Sequence, residues 1–240
     1  SWPAGKRAAV SLTFDDARPS EIDNGLDILD RYGVKASFYV IPSNVEKRLA
    51  GWKKAVANGH EIGNHTLKHP CSGNYPWSRE KALENYTLEM MEQELEEANA
   101  TVEQLLGVRP TTFGYPCAQT FVGRGTEVKS YVPLVARKFA VGRGYADQCL
   151  NDPAFCDLAQ VYCLIIDGLD FEQVKVLFDR AAEDGQWLIL CGHKVERSAG
   201  NQIVLTTTLE AICKYASDPA TELWFDRVDV IGKYIAQQRQ

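Results

Sequence analysis

Two adjacent carboxylates, Asp15 and Asp16, end the apolar run Ala8-Ala9-Val10-Ser11-Leu12-Thr13-Phe14. A buried strand has no intrinsic use for them, because an unpaired carboxylate beside a core is costly unless a cation or a proton compensates it. The competing reading is a turn, since Asp opens loops and caps helices. Further on, Gly63-Asn64-His65-Thr66-Leu67-Lys68-His69-Pro70 holds two of the four histidines, one helical turn apart. Pro70 disfavours helical geometry at His69, so a single turn at the start of a loop is expected. Two neutral imidazoles with one carboxylate make a divalent-metal set, and Zn2+ is the expected ion because it accepts mixed N and O ligands and leaves positions for water. Taken in isolation, a His-x-x-x-His spacing is more often structural. A third feature is Trp187-Leu188-Ile189-Leu190-Cys191-Gly192-His193, an apolar run that ends in a histidine. His60 has no partner motif and reads as structural.

These groups need elements to position them. Period and punctuation predict strands at 8–14, 36–41, 60–64, 112–115, 139–142, 161–166, 187–191 and 223–225, with helices at 23–32, 51–58, 78–106, 172–184, 207–216 and 226–238. Gly33, Gly59, Gly107 and Gly185 stand where helix C-termini favour a left-handed residue. Strand and helix alternate, and several strands are apolar on both faces, which argues for a parallel sheet covered by helices. The strand count favours a closed or nearly closed barrel. Leu88, Met91, Leu95, Ala98, Val102 and Leu105 recur at helical spacing among acids, the pattern of an amphipathic helix with a solvated face. Residues 70–77 and 144–160 lack a regular pattern and follow strand ends, where either could wall a cleft.

A chain of 240 residues fits one large α/β domain. It is 45% hydrophobic and 24% charged, and no apolar run is long enough to span a membrane. The net charge of -6 offers no basic field, so nucleic acid and anionic membrane surfaces are not expected partners. Seven cysteines are too few for a disulfide scaffold. Cys163 and Cys191 read as small buried hydrophobes, while Cys149 and Cys156 flank a short loop and could bridge. The chain begins at Ser1-Trp2-Pro3 without Met, as a trimmed mature chain would.

The segment from Lys6 to Val40 resembles the polysaccharide deacetylases, a family of carbohydrate esterases in which a first strand ends in Thr-Phe-Asp-Asp and a second reads close to Lys-Ala-Thr-Phe-Phe-Val. The resemblance implies a distorted (β/α) barrel of about seven parallel strands, with 1–240 as a single catalytic domain. It implies that Asp16, His65 and His69 bind the metal, that Asp15 is the general base and that His193 is the general acid. In the third family motif, Phe-Arg-Pro-Pro-Tyr-Gly, this chain reads Phe113-Gly114-Tyr115-Pro116-Cys117-Ala118, so Gly114 stands in place of the arginine that pairs with the base. A backbone N–H near Tyr115 or Cys117 is expected at the oxyanion, and Asp147 takes a supporting place in the weak fourth motif. Arg143 is the candidate replacement cation: it follows the apolar run Phe139-Ala140-Val141, emerges at the same barrel rim as Asp15, and is flanked by Gly142 and Gly144.

The implied function is metal-dependent removal of N- or O-acetyl groups from an acetylated oligo- or polysaccharide, in a secreted or periplasmic protein. Two alternatives are a metal-dependent amidohydrolase acting on a small non-glycan amide or imide, and a catalytically silent glycan-binding domain of the same fold.

Overall fold

The computed structural model describes residues 2–147 and 149–240, the side chains of 145–147 excepted. Eight strands build the sheet: β1 (Ala8–Asp15), β2 (Ser37–Val40), β3 (Glu61–Asn64), β4 (Thr112–Gly114), β5 (Val141–Asp147), β6 (Val161–Ile165), β7 (Trp187–Gly192) and β8 (Leu223–Phe225). Seven close into a ring in the order β1 to β7, because β7 pairs back onto β1 over Ala9↔Trp187 to Phe14↔Gly192. Every pairing in this sheet is parallel, giving the expected (β/α) barrel. The distortion is at β1, whose second edge is shared. Its first half pairs with β8 (Ala8↔Leu223), and its last residues pair with β2 (Thr13↔Ser37).

The two-residue period of a strand decides what reaches the lumen. Along β1, Ala8, Val10, Leu12 and Phe14 join the outer core shared with the helices. Ala9 packs instead with Trp187, Ile189 and Cys191 of β7, and Ser11 and Thr13 make hydrogen bonds to β7. By the same alternation Asp15 points inward at the C-terminal rim. The floor is apolar: in the last helix, Val228–Gln238, Val228, Ile231 and Ile235 pack on Val141 and Trp187. Above it the lumen is polar, with Glu61 accepting hydrogen bonds from Ser37 Oγ (2.5 Å) and Thr112 Oγ1 (2.6 Å). No helix among the described residues is long and apolar enough to cross a membrane.

The outer helices largely follow their sequence signals. The helix Phe171–Asp184 opens on an Asp170/Gln173 capping box and ends at Gly185, whose φ is 68°. The predicted helix at 78–106 is shorter than expected. It starts at Leu88, where Thr87 caps it by accepting the Met90 N–H at 3.1 Å, and residues 76–85 form tight turns instead. The helix Val132–Lys138 lies in a stretch with no predicted element.

Candidate active site

Asp16 follows β1 with left-handed backbone (φ 78°) and turns over the rim. The turn from His65 to His69 is held by its own side chains: Thr66 N–H donates to Asn64 Oδ1 (2.7 Å) and His69 N–H to Thr66 Oγ1 (2.8 Å). Eight non-glycine described residues have positive φ, and seven of them, Asp16, Ala17, Thr66, His69, Cys117, Ala118 and Gln202, lie in or beside this site. Each costs on the order of 1 kcal/mol, strain of the kind that clusters where side-chain direction matters.

The donor set fits a divalent cation. Asp16 Oδ1 is buried without a hydrogen-bond partner, although His65 Nε2 and His69 Nε2 approach it at 3.3 and 3.5 Å. These three ligand atoms lie within 4.8 Å of one another. His65 Nδ1 sits 2.7 Å from the Gly114 carbonyl, which can only accept, so the ring proton belongs there and Nε2 presents its lone pair. The second oxygen of Asp16 accepts from Arg18 Nε (3.1 Å) and Nη2 (3.0 Å). Burial raises the Asp16 carboxyl, and the His65 and His69 imidazoles, in their charged forms, outweigh it and lower it. Burial, with His65 beside it, pulls His69 down to about 4, so it is neutral at neutral pH, the state a cation requires.

Asp15 lies beside this set, with Oδ2 3.9 Å from His65 Nε2. Its Oδ1 accepts a 2.6 Å hydrogen bond from Arg143 Nη2, and both side chains are essentially inaccessible. The guanidinium lies 4.6 Å over the Tyr39 ring, and its Nη1 donates to Cys191 Sγ (3.2 Å) and Cys163 Sγ (3.4 Å). Gly114 is the register partner of Arg143 on β4. A Cβ at Gly114 would lie 2.7 Å from Arg143 Nη2 and 2.9 Å from Tyr39 Cγ, so the missing side chain is the space the guanidinium uses. Burial would raise Asp15, but Arg143, then His65 and His193, hold its carboxyl below the usual range.

His193 caps the opposite side. Its Nδ1 lies 2.6 Å from Asp167 Oδ2, and its backbone N–H donates to Asp167 Oδ1 at 3.0 Å. Burial would lower the imidazole, but Asp167, Asp15 and Asp16 outweigh it and the net shift is upward. Asp167 was not among the expected site residues, although a signal existed. It follows the apolar run ending at Ile166, just as Asp15 ends β1 and His193 follows β7.

Other expectations need correction. Tyr115 does not face the site: its N–H donates to the Arg143 carbonyl (2.8 Å), and its buried hydroxyl donates to the Ala159 carbonyl (2.6 Å). Cys117 does line the cavity, and its sulfur is bonded to Cys71, with Cα atoms 6.2 Å apart. Cys149 and Cys156 are free. Cys163 and Cys191 are buried as expected, but they serve as acceptors for Arg143 and not only as filler. The side chain of Asp147 lies outside the described residues. His60 is structural, with Nε2 2.7 Å from Asp30 and Nδ1 accepting the Ala36 N–H.

Asp15, Asp16, His65, His69 and His193 all line one cavity of about 810 Å³, together with Arg18, Asn44, Tyr75, Trp77 and Lys81. A family model described as polysaccharide deacetylase matches residues 3–127. Over 143 residues the chain is 34% identical to a gellan lyase of Bacillus sp, covering 59% of this chain and 5% of that protein. Over 108 residues it is 33% identical to the peptidoglycan-N-acetylglucosamine deacetylase PgdA of Listeria monocytogenes, covering 45% of this chain and 21% of that protein. The chain therefore spans well under half of either relative. The solved Xyl-CE4 domain of a multidomain xylanase from the hindgut metagenome of Trinervitermes trinervoides shares the fold. Its TM-score is 0.59 at 21% identity, covering 95% of this chain and 91% of that one.

Proposed function

The chain belongs to the polysaccharide deacetylase family, and we propose that it is a metal-dependent hydrolase that removes acetyl groups from an acetylated oligo- or polysaccharide. The observation that carries this reading is the convergence of the Asp16, His65 and His69 donor atoms beside a second carboxylate, Asp15, that is paired with a buried arginine. Asp16, His65 and His69 would hold the cation, with Zn2+ the ion that suits an N2O set with open positions. Bound there, it would supply Lewis acidity, acidifying water and polarising the acyl oxygen.

The remaining steps fall to the chain's own groups. Asp15, kept ionised by Arg143, accepts the proton of the attacking water through the oxygen that Arg143 leaves open. The Cys117 N–H is the proposed donor to the developing oxyanion. His193, whose pKa is raised chiefly by Asp167 against the pull of burial, gives a proton to the departing amine or alcohol. Activity then requires Asp15 deprotonated and His193 protonated. It falls as pH drops through the lowered Asp15 value and again as pH rises through the raised His193 value. The Cys71–Cys117 disulfide supports an oxidising location, secreted or periplasmic. The single closed barrel supports reading 1–240 as one catalytic domain.

Acetate release from chitooligosaccharides, acetylated xylan and peptidoglycan, with and without chelator, tests the proposal. Release that a chelator abolishes and Zn2+ restores is expected. No release from any of the three rejects it.

A further inference from the structure

The Cys71–Cys117 disulfide ties together two working parts of the site. Cys117 lines the cavity, and its N–H, the proposed oxyanion donor, makes no hydrogen bond among the described residues. Its backbone is left-handed (φ 55°, ψ 21°), and so is that of Ala118 (φ 57°). Neither residue is glycine, so an unrestrained chain would leave this conformation and turn the N–H elsewhere. A contact from outside the loop must hold it.

The sulfur bond supplies that contact from an anchored end. Cys71 is buried and its N–H donates to the Ser78 hydroxyl (2.9 Å). Its carbonyl accepts from the same hydroxyl (2.8 Å) and from the Leu83 N–H (3.0 Å). Hydrogen bonds also join the two loops, but farther along both of them: Ser72 N–H to Gln119 Oε1 (2.7 Å), and Gly123 N–H to the Leu83 carbonyl (2.9 Å). The disulfide is the link at Cys117 itself. It also touches the metal set, because Cys71 Sγ lies 3.7 Å from His69 Nδ1. A bonded sulfur has no proton to give and can only accept, which keeps the ring proton on Nδ1. Nε2, 3.5 Å from Asp16 Oδ1, is left with its lone pair for a cation. A free thiol in the same place could donate to Nδ1 and reverse the tautomer.

We infer that the Cys71–Cys117 bond is a positioning element of the reaction: it clamps the loop after β3 to the loop after β4, fixing the Cys117 N–H toward the oxyanion and His69 Nε2 toward the cation. The inference rests on the proposed deacetylase reading, and it makes catalysis depend on an oxidised bond that takes no chemical part in it. The oxyanion exists only beyond the ground state, so loosening the clamp lowers kcat and leaves KM nearly as it was.

The test compares the parent with Cys71→Ser/Cys117→Ser, both saturated with Zn2+. Serine is used because freed thiols would make a rival donor set, His69, Cys71 and Cys117 having ligand atoms within 4.8 Å of one another. Inorganic phosphate, a tetrahedral oxyanion, is the probe that needs no turnover. The serine pair should bind phosphate about tenfold more weakly by calorimetry. On the N-acetylglucosamine pentamer its kcat should fall about 100-fold, with KM within about twofold of the parent value. Its Zn2+ affinity, by chelator competition, should fall about tenfold as the His69 tautomer is freed. If circular dichroism shows the serine pair unfolded, the parent reduced with a phosphine, in Zn2+ excess, carries the same comparison, and reoxidation should restore kcat. Parent-like kcat and phosphate affinity without the bond, or no phosphate binding by the parent, overturns the clamp. Weaker phosphate binding without the bond, when the parent itself releases no acetate from any acetylated glycan, upholds the clamp and rejects the deacetylase reading instead.

Discussion

Replacing Arg143 tests the buried ion pair most directly. Its side chain is fully inaccessible, and Asp15, its only carboxylate partner among the described residues, is 2% exposed. Arg143→Met roughly keeps the volume but leaves a carboxylate in the lumen with no cation at 2.6 Å. Breaking a buried pair on one side costs about 3–5 kcal/mol, because the remaining charge is desolvated and uncompensated. In a chain of this size that lowers the melting temperature by roughly 10 °C. Asp15→Asn should cost a similar amount by stranding the guanidinium. The double variant should lose less than the sum, with a coupling of about 2 kcal/mol from the double-mutant cycle. The pH dependence has a definite sign. A carboxyl held below its ordinary pKa contributes stability above the unfolded-state value, and loses it as pH falls through the lowered native value. Without Arg143 the Asp15 pKa moves up, so both the acid decline in stability and the acid limb of kcat/KM should begin at higher pH. Urea denaturation of the four proteins between neutral and acid pH measures these terms. An Arg143→Met cost below about 1 kcal/mol, with additive singles and an unmoved acid limb, refutes the reasoning.

His65→Ala and His69→Ala should each lose tight Zn2+ binding while the fold persists, and unchanged metal content in both would reject the donor set. Asp15→Asn should retain metal and lose roughly 10²- to 10⁴-fold in activity, whereas Asp16→Asn should weaken the metal itself; like behaviour of the two rejects the division of roles. Asp167→Asn removes the carboxylate charge that helps raise His193, so the alkaline limb of the pH profile should move to lower pH. Thiol titration of the denatured, unreduced chain should count five free cysteines. Reducing the 46-residue Cys71–Cys117 link should cost about 4 kcal/mol on the loop-entropy estimate.

The barrel was legible because its strands are short apolar runs punctuated by glycine, and the register then follows from which faces are buried. What the period could not reveal was tertiary proximity. Cys149 and Cys156 are close in sequence, but Cys71 and Cys117 are close in space, since each sits in the loop after one of two neighbouring strands, β3 and β4. In the same way, the run 78–85 contains residues compatible with a helix. It does not extend the helix because Thr87 supplies a cap at its start and because loop residues from Cys71 to Glu84 hydrogen-bond among themselves.

Asp167 and Arg143 lead to one rule for such sites. In a parallel barrel the strands share one C-terminal rim, so a charge that positions a catalytic group can come from any strand whose neighbour carries a small residue at the paired position. Gly114 is such a position. It is paired in register with Arg143, and a single added Cβ there would crowd the guanidinium. Gly114 and Arg143 therefore form one structural unit, the gap on β4 and the side chain from β5 that fills it. Gly114→Ala should push Arg143 off Asp15 and reproduce in part the destabilisation and the raised acid limb of Arg143→Met. In Arg143→Met itself, adding the methyl should cost less than it does in the parent. Equal cost in both backgrounds would show that Gly114 serves only the turn that follows β4.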